Sequence, residues 1–208
     1  MWIDPNTEAM YNLHRLGEYK LEKCSYESNI GYSLSKEMRK SNIEDIKQDL
    51  SNYFKYLLSS DLDLGCLEYR IKSKDSINRK LDKYSNSTRK IKSVVNDIVG
   101  IRGICSSYDF LFKESSDNFR VVDLSKGKAN DDGYRGVHVY YQKNNKCYPI
   151  EIQFSTFFDR QFNDWLHKYS YKYLENSIGV ILRDLYEQGK IRSEKEFMEV
   201  MDYVLSSR

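Results

Sequence analysis

The chain has 208 residues, 40% of them hydrophobic and 31% charged, and its formal net charge is +2; these values suit one compact domain and predict no strong overall affinity for nucleic acid. No apolar run approaches the roughly 20 residues of a membrane span, and the N-terminus has neither the basic start nor the apolar run of a secretory signal. The four cysteines are widely separated without zinc-type spacing, so we predict a cytoplasmic protein with reduced thiols and no membrane segment.

The first half of the chain shows helical and then strand-like patterns. Apolar residues recur at helical spacing from Asn42 to Leu58, which predicts an amphipathic helix, and a short helix is predicted from Asp75 to about Tyr84. The pattern changes at Ile98–Cys105, a short branched segment that predicts a buried strand. Phe119–Leu124 predicts a further strand, and a polar loop is predicted over Ser125–Gly133.

The second half begins with a predicted hairpin. Val137 and Val139 alternate with polar residues, and a turn at Asn144 leads into a predicted strand over Cys147–Phe154. The remainder is predicted to form three helices: about Thr156–Tyr173, Ile178–Gln188, and one that begins at the capping box of Ser193 and Glu196. Helices, a mixed sheet and further helices follow one another, and this order predicts an α+β fold with a mixed α/β layer.

A basic segment surrounds the start of the second predicted helix. Arg70 and Lys72 share one face of an extended entry segment, because side chains alternate there. Ser76 and Lys80 are four residues apart and are therefore neighbours on the helix. A helix N-terminus with a hydroxyl and converging lysines suits a polyphosphate, although a basic, solvated helix start explains the same residues.

Asp97 lies where the chain enters the predicted buried strand. Ligands usually bind at the ends of sheet strands, and a carboxylate there suits Mg²⁺, which screens phosphate charge. An aspartate that caps a turn is an equal alternative for this position.

Polar side chains also cluster on the predicted hairpin. Glu151 and Gln153 share the face opposite to the apolar residues of their strand, and His138 projects in the same way from the neighbouring strand, close to Tyr134. A glutamate suits a general base or metal ligand, and a tyrosine suits stacking on a nucleobase. A solvated sheet face is the alternative, but the clustering favours a site.

Taken together, these segments resemble the nucleotidyltransferase-like core of the RelA/SpoT synthetase family, which makes the alarmones ppGpp and pppGpp. The resemblance covers roughly residues 45–175, with 1–44 as an N-terminal helical segment and 176–208 as C-terminal helices. The matching strings, in the family's order, are RxKSxxSIxxK (Arg70–Lys80), DIVGIR (Asp97–Arg102), GYRGVH (Gly133–His138), EIQFST (Glu151–Thr156) and WLHKYSYKY (Trp165–Tyr173).

The resemblance implies an ATP pyrophosphokinase, a diphosphotransferase that moves the β,γ-pyrophosphate of ATP to a nucleotide 3′-hydroxyl and releases AMP. Two arginines, Arg70 and Arg120, would hold the ATP adenine between them. The ATP phosphates would be bound by Lys72, Ser76 and Lys80.

The resemblance also implies the acceptor side of the site. Asp97 and Glu151 would organise Mg²⁺, and Glu151 would help to activate the 3′-hydroxyl of the acceptor. Tyr134 would stack on the acceptor base and is therefore also counted among the catalytic residues. The acceptor would be positioned by Tyr134, His138, Gln153 and His167.

Two departures from the family pattern bear on the acceptor. Val122 stands where the family has a lysine, with Lys126 and Lys128 in the next loop as substitutes, and Leu166 stands where alarmone-making members have a glutamate before His167. Both changes fall near the acceptor side and count against GDP or GTP as the acceptor. The stretch Tyr148–Thr156, with Asp159–Gln161 and Trp165–His167, resembles the toxic small synthetases of toxin–antitoxin pairs. One branch of those modifies the 3′ CCA end of tRNA and inhibits translation.

We therefore expect the tRNA acceptor end as substrate and a protein antitoxin as partner. An N-terminal group of basic residues suits RNA contact, although glutamates are interspersed and a solvated helix surface explains it too; it comprises Lys20, Lys23, Lys36, Arg39 and Lys40. The alternatives are a small alarmone synthetase that uses GDP, GTP or GMP, and an enzyme that makes adenosine alarmones from ADP or ATP. A catalytically inactive binding protein is disfavoured, because the site residues are retained.

Overall fold

The computed structural model describes residues 20–60, 62, 64, 68–112, 117–169 and 176–207. This part of the chain folds around a five-stranded mixed sheet with the order β1-β2-β5-β4-β3. Strands β2 and β5 run parallel, and the other neighbours are antiparallel. The strands are β1 Glu68–Ile71, β2 Val99–Cys105, β3 Phe119–Asp123, β4 Val137–Tyr141 and β5 Ile150–Thr156.

Helices come before the first strand, between β1 and β2, and after the last strand. This arrangement confirms the predicted α+β class. They are α1 Ile43–Ser59, α2 Lys74–Lys83, the single-turn α3 Ile91–Val94, α4 Phe157–Tyr169, α5 Asn176–Glu187 and α6 Glu194–Ser206. Ser193 forms the predicted capping box with Glu196 at the start of α6. The end of the helix predicted to Tyr173 lies outside the described residues. None of the described helices is long and apolar enough to span a bilayer.

The strand predicted from Cys147 instead begins at Ile150 and continues to Thr156. Cys147 forms an isolated bridge with Glu27, and the Tyr148 amide donates a hydrogen bond to the Tyr26 carbonyl. These two residues therefore pair with the N-terminal segment before the chain enters the sheet. A contact so distant in sequence leaves no trace in the local alternation.

The main hydrophobic core lies under one face of the sheet. From α1 it includes Ile46, Leu50 and Leu57. The strands contribute alternate residues, among them Val99, Ile101, Val137, Val139, Ile150 and Ile152. This alternation leaves the opposite face of the same strands to polar side chains.

Several tyrosines belong to this core. Tyr53 stacks on Tyr148 with ring centroids 5.6 Å apart and on Tyr26 at 4.9 Å. The Tyr148 hydroxyl donates a 2.9 Å hydrogen bond to the buried carboxylate of Asp49 in α1. These tyrosines therefore have a packing role.

A second cluster is formed by the C-terminal helices. Phe162, Trp165 and Leu166 of α4 pack there with Ile178 and Leu182 of α5 and with residues of α6. Cys24, Cys105 and Cys147 are buried and free, and burial raises the pKa of Cys24 to about 11. Cys66 lies outside the described residues.

Candidate active site

One row of residues crosses the polar face of the whole sheet. The strand register places Arg70 opposite Gly100, Gly100 opposite Glu151, Glu151 opposite Tyr140, and Tyr140 opposite Arg120. The Arg70 side chain lies over Gly100, where a methyl group would come within 3.2 Å of the arginine Nε. At the other edge, the Arg120 guanidinium lies 4.3 Å from the centroid of the Tyr140 ring. Both arginines therefore lean towards Glu151 at the centre.

Glu151 is buried, with 5% of its surface exposed, yet its surroundings favour the ionised form. Its carboxylate accepts hydrogen bonds from the Tyr140 hydroxyl at 3.0 Å and from the Gln153 amide at 2.8 Å, and it lies 3.2 Å from Nδ1 of His138. Burial alone would raise the pKa of Glu151, but His138 and the Tyr140 hydrogen bond bring that pKa below its ordinary value. A buried carboxylate that keeps its charge is able to accept a proton or hold a cation.

The predicted phosphate-binding lysines converge on Asp97. Lys72 follows β1 directly and Asp97 precedes β2, so the antiparallel pairing of these strands brings both residues to one end of the sheet. Lys72 donates to one carboxylate oxygen of Asp97, and Lys80 of α2 donates to the other at 3.1 Å. Burial would raise the pKa of Asp97, but the two ammonium groups outweigh burial and lower that pKa. The cluster therefore carries a net positive charge.

Helix α2 begins two residues after Lys72, next to the same region. Ser73 caps the helix and accepts a hydrogen bond from the backbone amide of Ser76 at 3.3 Å. Ser76 is half-buried in this first turn, where the helix dipole attracts anions, and its hydroxyl accepts a 2.9 Å hydrogen bond from the Ser73 hydroxyl. Lys72 and Lys80 thus meet at Asp97, and Ser76 lies one turn before Lys80 on α2. Their phosphate-binding role stays a prediction.

Asp97 and Glu151 are the candidate ligands for Mg²⁺. They are close enough for the charge of Asp97 to raise the pKa of Glu151, and both offer the oxygen atoms that Mg²⁺ prefers. The described residues contain no group of three or more metal-ligating side chains, so an Mg²⁺ ion here would complete its shell with water and nucleotide phosphates. The residues present fit that mode of binding.

On the other side of Glu151, the predicted acceptor residues also meet. The Tyr134 hydroxyl lies 2.8 Å from Nε2 of His138, and His138 is the register partner of Gln153. A cavity of about 390 Å³ opens here. It is lined by Arg70, Arg102, Tyr134, Gln153, Ser155, Arg160, Asn163, Asp164 and His167.

The two arginines predicted to share the adenine line different cavities. Arg70 shares its cavity with Arg102, whereas Arg120 lines a second cavity of about 420 Å³ together with Tyr140 and Lys92. Arg102 lies two residues beyond Gly100 on β2 and hence on the same face as Arg70. The residue pattern does not by itself mark Arg102 as a site residue, although Arg102 ends the DIVGIR string, and it does not mark Tyr140 or Asn163 either.

Val122 and Leu166, the two positions that differ from the family pattern, have different surroundings. Val122 is the register partner of His138 and so lies on the polar face of the sheet. Leu166 has 2% of its surface exposed and packs in the C-terminal helical cluster, whereas His167 lines the cavity. Of the two substitute lysines, Lys128 places its ammonium group 4.8 Å from the Tyr134 ring centroid and pairs with Asp132 at 2.6 Å.

Part of the N-terminal basic group is engaged within the chain. Arg39 lies 3.9 Å from the carboxylate of Glu37, and the Lys36 ammonium lies 4.9 Å from the Tyr32 ring centroid. The segment before residue 20 lies outside the described residues. An RNA-binding role for this group stays a prediction.

Comparison with known proteins identifies the family to which the chain belongs. A family model described as a region found in RelA / SpoT proteins matches residues 69–176, more than half of the chain. No curated protein matches the chain.

Three solved structures illustrate what the chain is similar to. Small alarmone synthetase 1 from Bacillus subtilis, bound to its product pppGpp, is 23% identical with a TM-score of 0.43, and the alignment covers 79% of this chain and 93% of that one. Small alarmone synthetase 2 from Bacillus subtilis is 20% identical, with a TM-score of 0.41 and coverage of 80% and 94%. A GTP pyrophosphokinase family protein from Streptococcus pneumoniae is 20% identical, with a TM-score of 0.41 and coverage of 80% and 91%.

Proposed function

The chain belongs to the RelA/SpoT family of pyrophosphate-transferring enzymes, and on that premise we propose that it moves the β,γ-pyrophosphate of ATP to the 3′-hydroxyl of GDP or GTP. AMP is the second product. The observation that carries this proposal is the position of Glu151. It is a buried, ionised carboxylate between the Lys72–Lys80–Asp97 cluster and the pair of Tyr134 and His138.

The donor half of the reaction uses the basic end of the sheet. Lys72 and Lys80 neutralise the ATP phosphates, and the first turn of α2 with Ser76 offers them hydrogen-bond donors. Both lysines contact Asp97, which holds their ammonium groups at this end of the sheet. Mg²⁺, held by Asp97 and Glu151 when bound, supplies further charge neutralisation.

We propose Arg70 and Arg102 as the pair that holds the donor base. The two guanidinium groups line one cavity on the polar face of the sheet, and arginines stack well on flat aromatic surfaces. Arg120 instead acts at the second cavity, where it lies on the Tyr140 ring. A shared adenine between Arg70 and Arg120 remains the alternative to be tested.

In the transfer step, the 3′-oxygen of the acceptor attacks the β-phosphorus of ATP. Glu151 accepts the hydroxyl proton, and the bond between the β-phosphorus and the α,β-bridging oxygen breaks, so AMP leaves with that oxygen. Tyr134 stacks on the acceptor base, and His138, Gln153 and His167 orient the acceptor. No covalent enzyme intermediate is needed, because positioning and charge neutralisation suffice for this type of transfer.

Two considerations support a guanosine nucleotide over the tRNA end as acceptor. Alarmone synthesis is the activity of the family that the motifs resemble. In addition, Leu166 is buried in the helical cluster, so the change from glutamate gives no direct evidence for a larger acceptor in the cavity. The tRNA end, with the antitoxin that such a toxin needs, is kept as the second candidate because Val122 removes a lysine from the site face.

The acceptor is identified by offering γ-labelled ATP with GDP, GTP, ADP or bulk tRNA in parallel reactions. Label on GDP or GTP, together with AMP release, supports the proposal. Label on tRNA alone replaces it with the tRNA-modifying enzyme, and label on ADP or ATP with the adenosine alarmone enzyme. Glu151→Gln should lower any transfer by about 10²- to 10⁴-fold, and Glu199→Gln, at an exposed pair with Lys195, serves as the control.

A further inference from the structure

The loop that carries Tyr134 lies directly against the first turn of α5. Gly133 is buried with a φ of +87°, and a methyl group built on it would come within 2.7 Å of the carbonyl carbon of Gly179. A methyl group built on Gly179 would overlap the carbonyl of Asp132, 2.8 Å from its carbon. Because backbone atoms stand on both sides, no side-chain rotation makes room, and the contact requires glycine at both positions.

Gly179 is otherwise unfavourable where it stands. Glycine is a poor helix former, and Gly179 lies inside α5 (Asn176–Glu187). Its place in the helix therefore has a packing reason, which is the close approach of the loop.

Helix α4 holds the same loop from another side. The side chain of Asn163 accepts a hydrogen bond from the backbone amide of Arg135 at 3.2 Å and donates one to the Arg135 carbonyl at 2.7 Å. Arg135 directly follows Tyr134, so both backbone groups next to the tyrosine are fixed. Asn163 is buried, and a buried polar contact of this kind is costly to break.

Tyr134 itself joins the two halves of the molecule. Its ring packs against the C-terminal helical cluster, while its hydroxyl contacts His138 on β4. Its backbone amide donates a hydrogen bond to the Asp132 side chain at 3.1 Å. The position of the ring therefore depends on the C-terminal helices as well as on the sheet.

We propose that Gly179 and Asn163 are positioning residues that hold Tyr134 in place for the acceptor, so that α4 and α5 set acceptor affinity. This inference rests on the proposed function, because it takes Tyr134 as the residue that stacks on the acceptor base. The proposed donor residues stand on other elements: Arg70 on β1, Arg102 on β2, Lys72 directly after β1, Lys80 on α2 and Asp97 before β2. Arg70 and Arg102 line the same cavity as Tyr134, but the loop carries neither of them. Disturbing the contact should therefore change acceptor binding more than ATP binding.

The kinetic test compares Gly179→Ala with Asp184→Ala, which changes an exposed residue of the same helix. Alanine is the better helix former, so any loss at position 179 comes from the clash with Asp132. With the acceptor that the wild type uses, we expect the acceptor KM of Gly179→Ala to rise about tenfold or more while the ATP KM stays within about twofold. Asp184→Ala should change neither. An equal rise of both KM values, or no change, overturns the proposal.

Asn163→Ala is the second variant, because it removes both hydrogen bonds to Arg135 without adding an atom. Asn163→Ala should also raise the acceptor KM. If Gly179→Ala does not fold, Asn163→Ala still tests whether the C-terminal helices position Tyr134.

A measurement without substrate separates this inference from the proposed function. In Gly179→Ala, backbone amides of residues 125–135 should exchange hydrogen for deuterium faster than in the wild type, while β2 and β5 keep their protection. If the wild type labels none of the offered acceptors, the proposed function fails but this comparison still decides whether Gly179 holds the loop. Unchanged exchange over 125–135 overturns the positioning role.

Discussion

The Tyr140 hydroxyl donates a 3.0 Å hydrogen bond to the carboxylate of Glu151 on the neighbouring strand. The two residues are register partners, and the guanidinium of Arg120 covers the tyrosine ring. Burial and the charge of Glu151 both raise the pKa of Tyr140, so its hydroxyl stays protonated and keeps donating. Tyr140 therefore helps to keep Glu151 ionised at the centre of the site.

Removing this hydroxyl should slow the transfer. Tyr140→Phe takes one donor from Glu151, a contribution of about 1–1.5 kcal/mol, and turnover should fall about five- to tenfold with the ATP KM unchanged. AMP release measured at saturating substrates checks this. Tyr203→Phe, at a largely exposed position, is the control, and unchanged turnover in Tyr140→Phe would mean that the hydrogen bond is not used.

Neutralising Asp97 should destabilise the ligand-free chain. Asp97→Asn leaves Lys72 and Lys80 close together without their counter-charge, and the free energy of unfolding should fall by about 2–3 kcal/mol at neutral pH. Urea unfolding at about pH 7 measures the loss, with Asp202→Asn on the exposed face of α6 as the control.

The same variant gives a pH dependence. The folded chain holds the pKa of Asp97 below its ordinary value of 3.8. Between the folded pKa and 3.8 the unfolded chain therefore binds more protons than the folded chain, and the stabilisation by the Asp97 charge is complete at pH values above 3.8. As pH falls through the folded pKa, wild-type Asp97 becomes neutral, and the stability difference from Asp97→Asn should narrow. A difference that stays constant down to about pH 3 would contradict the assignment of the stabilisation to this charge.

The Tyr134 ring and its hydroxyl should have separable effects. Tyr134→Ala removes the proposed stacking surface, worth about 1–3 kcal/mol per base, and the acceptor KM should rise about 10- to 100-fold. Tyr134→Phe keeps the ring and loses the hydroxyl that contacts His138, so its acceptor KM should stay within a few-fold of wild type. Initial rates at saturating ATP and varied acceptor distinguish the two. Equal defects in both variants would argue against stacking.

The two arginine pairings make opposite predictions for ATP binding. If Arg70 and Arg102 hold the adenine in their common cavity, Arg102→Ala should weaken binding of a non-hydrolysable ATP analogue about as much as Arg70→Ala does, and Arg120→Ala should have the smaller effect. Isothermal titration calorimetry measures these affinities, and Arg39→Ala at an exposed position is the control. The opposite order would restore Arg120 as the partner of Arg70.

Local features of the fold were predictable from the sequence because their causes are local. The apolar period of α1 and the capping box at Ser193 each act within one or two helical turns. The start of β5 was not predictable, because Cys147 and Tyr148 pair with residues more than a hundred positions earlier. The site shows the same division: the spacing of Ser76 and Lys80 makes them neighbours on one helix, whereas the contact of both lysines with Asp97 and the pairing of Arg70 with Arg102 depend on strand order.

The sequence by itself determined which reactive side chains the protein contains and to which family it belongs, because the ordered motifs from Arg70 to Thr156 can be read directly along the chain. Only the tertiary structure decided which groups face each other. The order β1-β2-β5-β4-β3 puts Arg102 beside Arg70 and Arg120 at the far edge, and the packing of α5 on Gly133 brings the C-terminal helices to Tyr134. These neighbours are set by strand pairing and by backbone contacts between segments that are distant in sequence. A local pattern of residues does not predict such contacts.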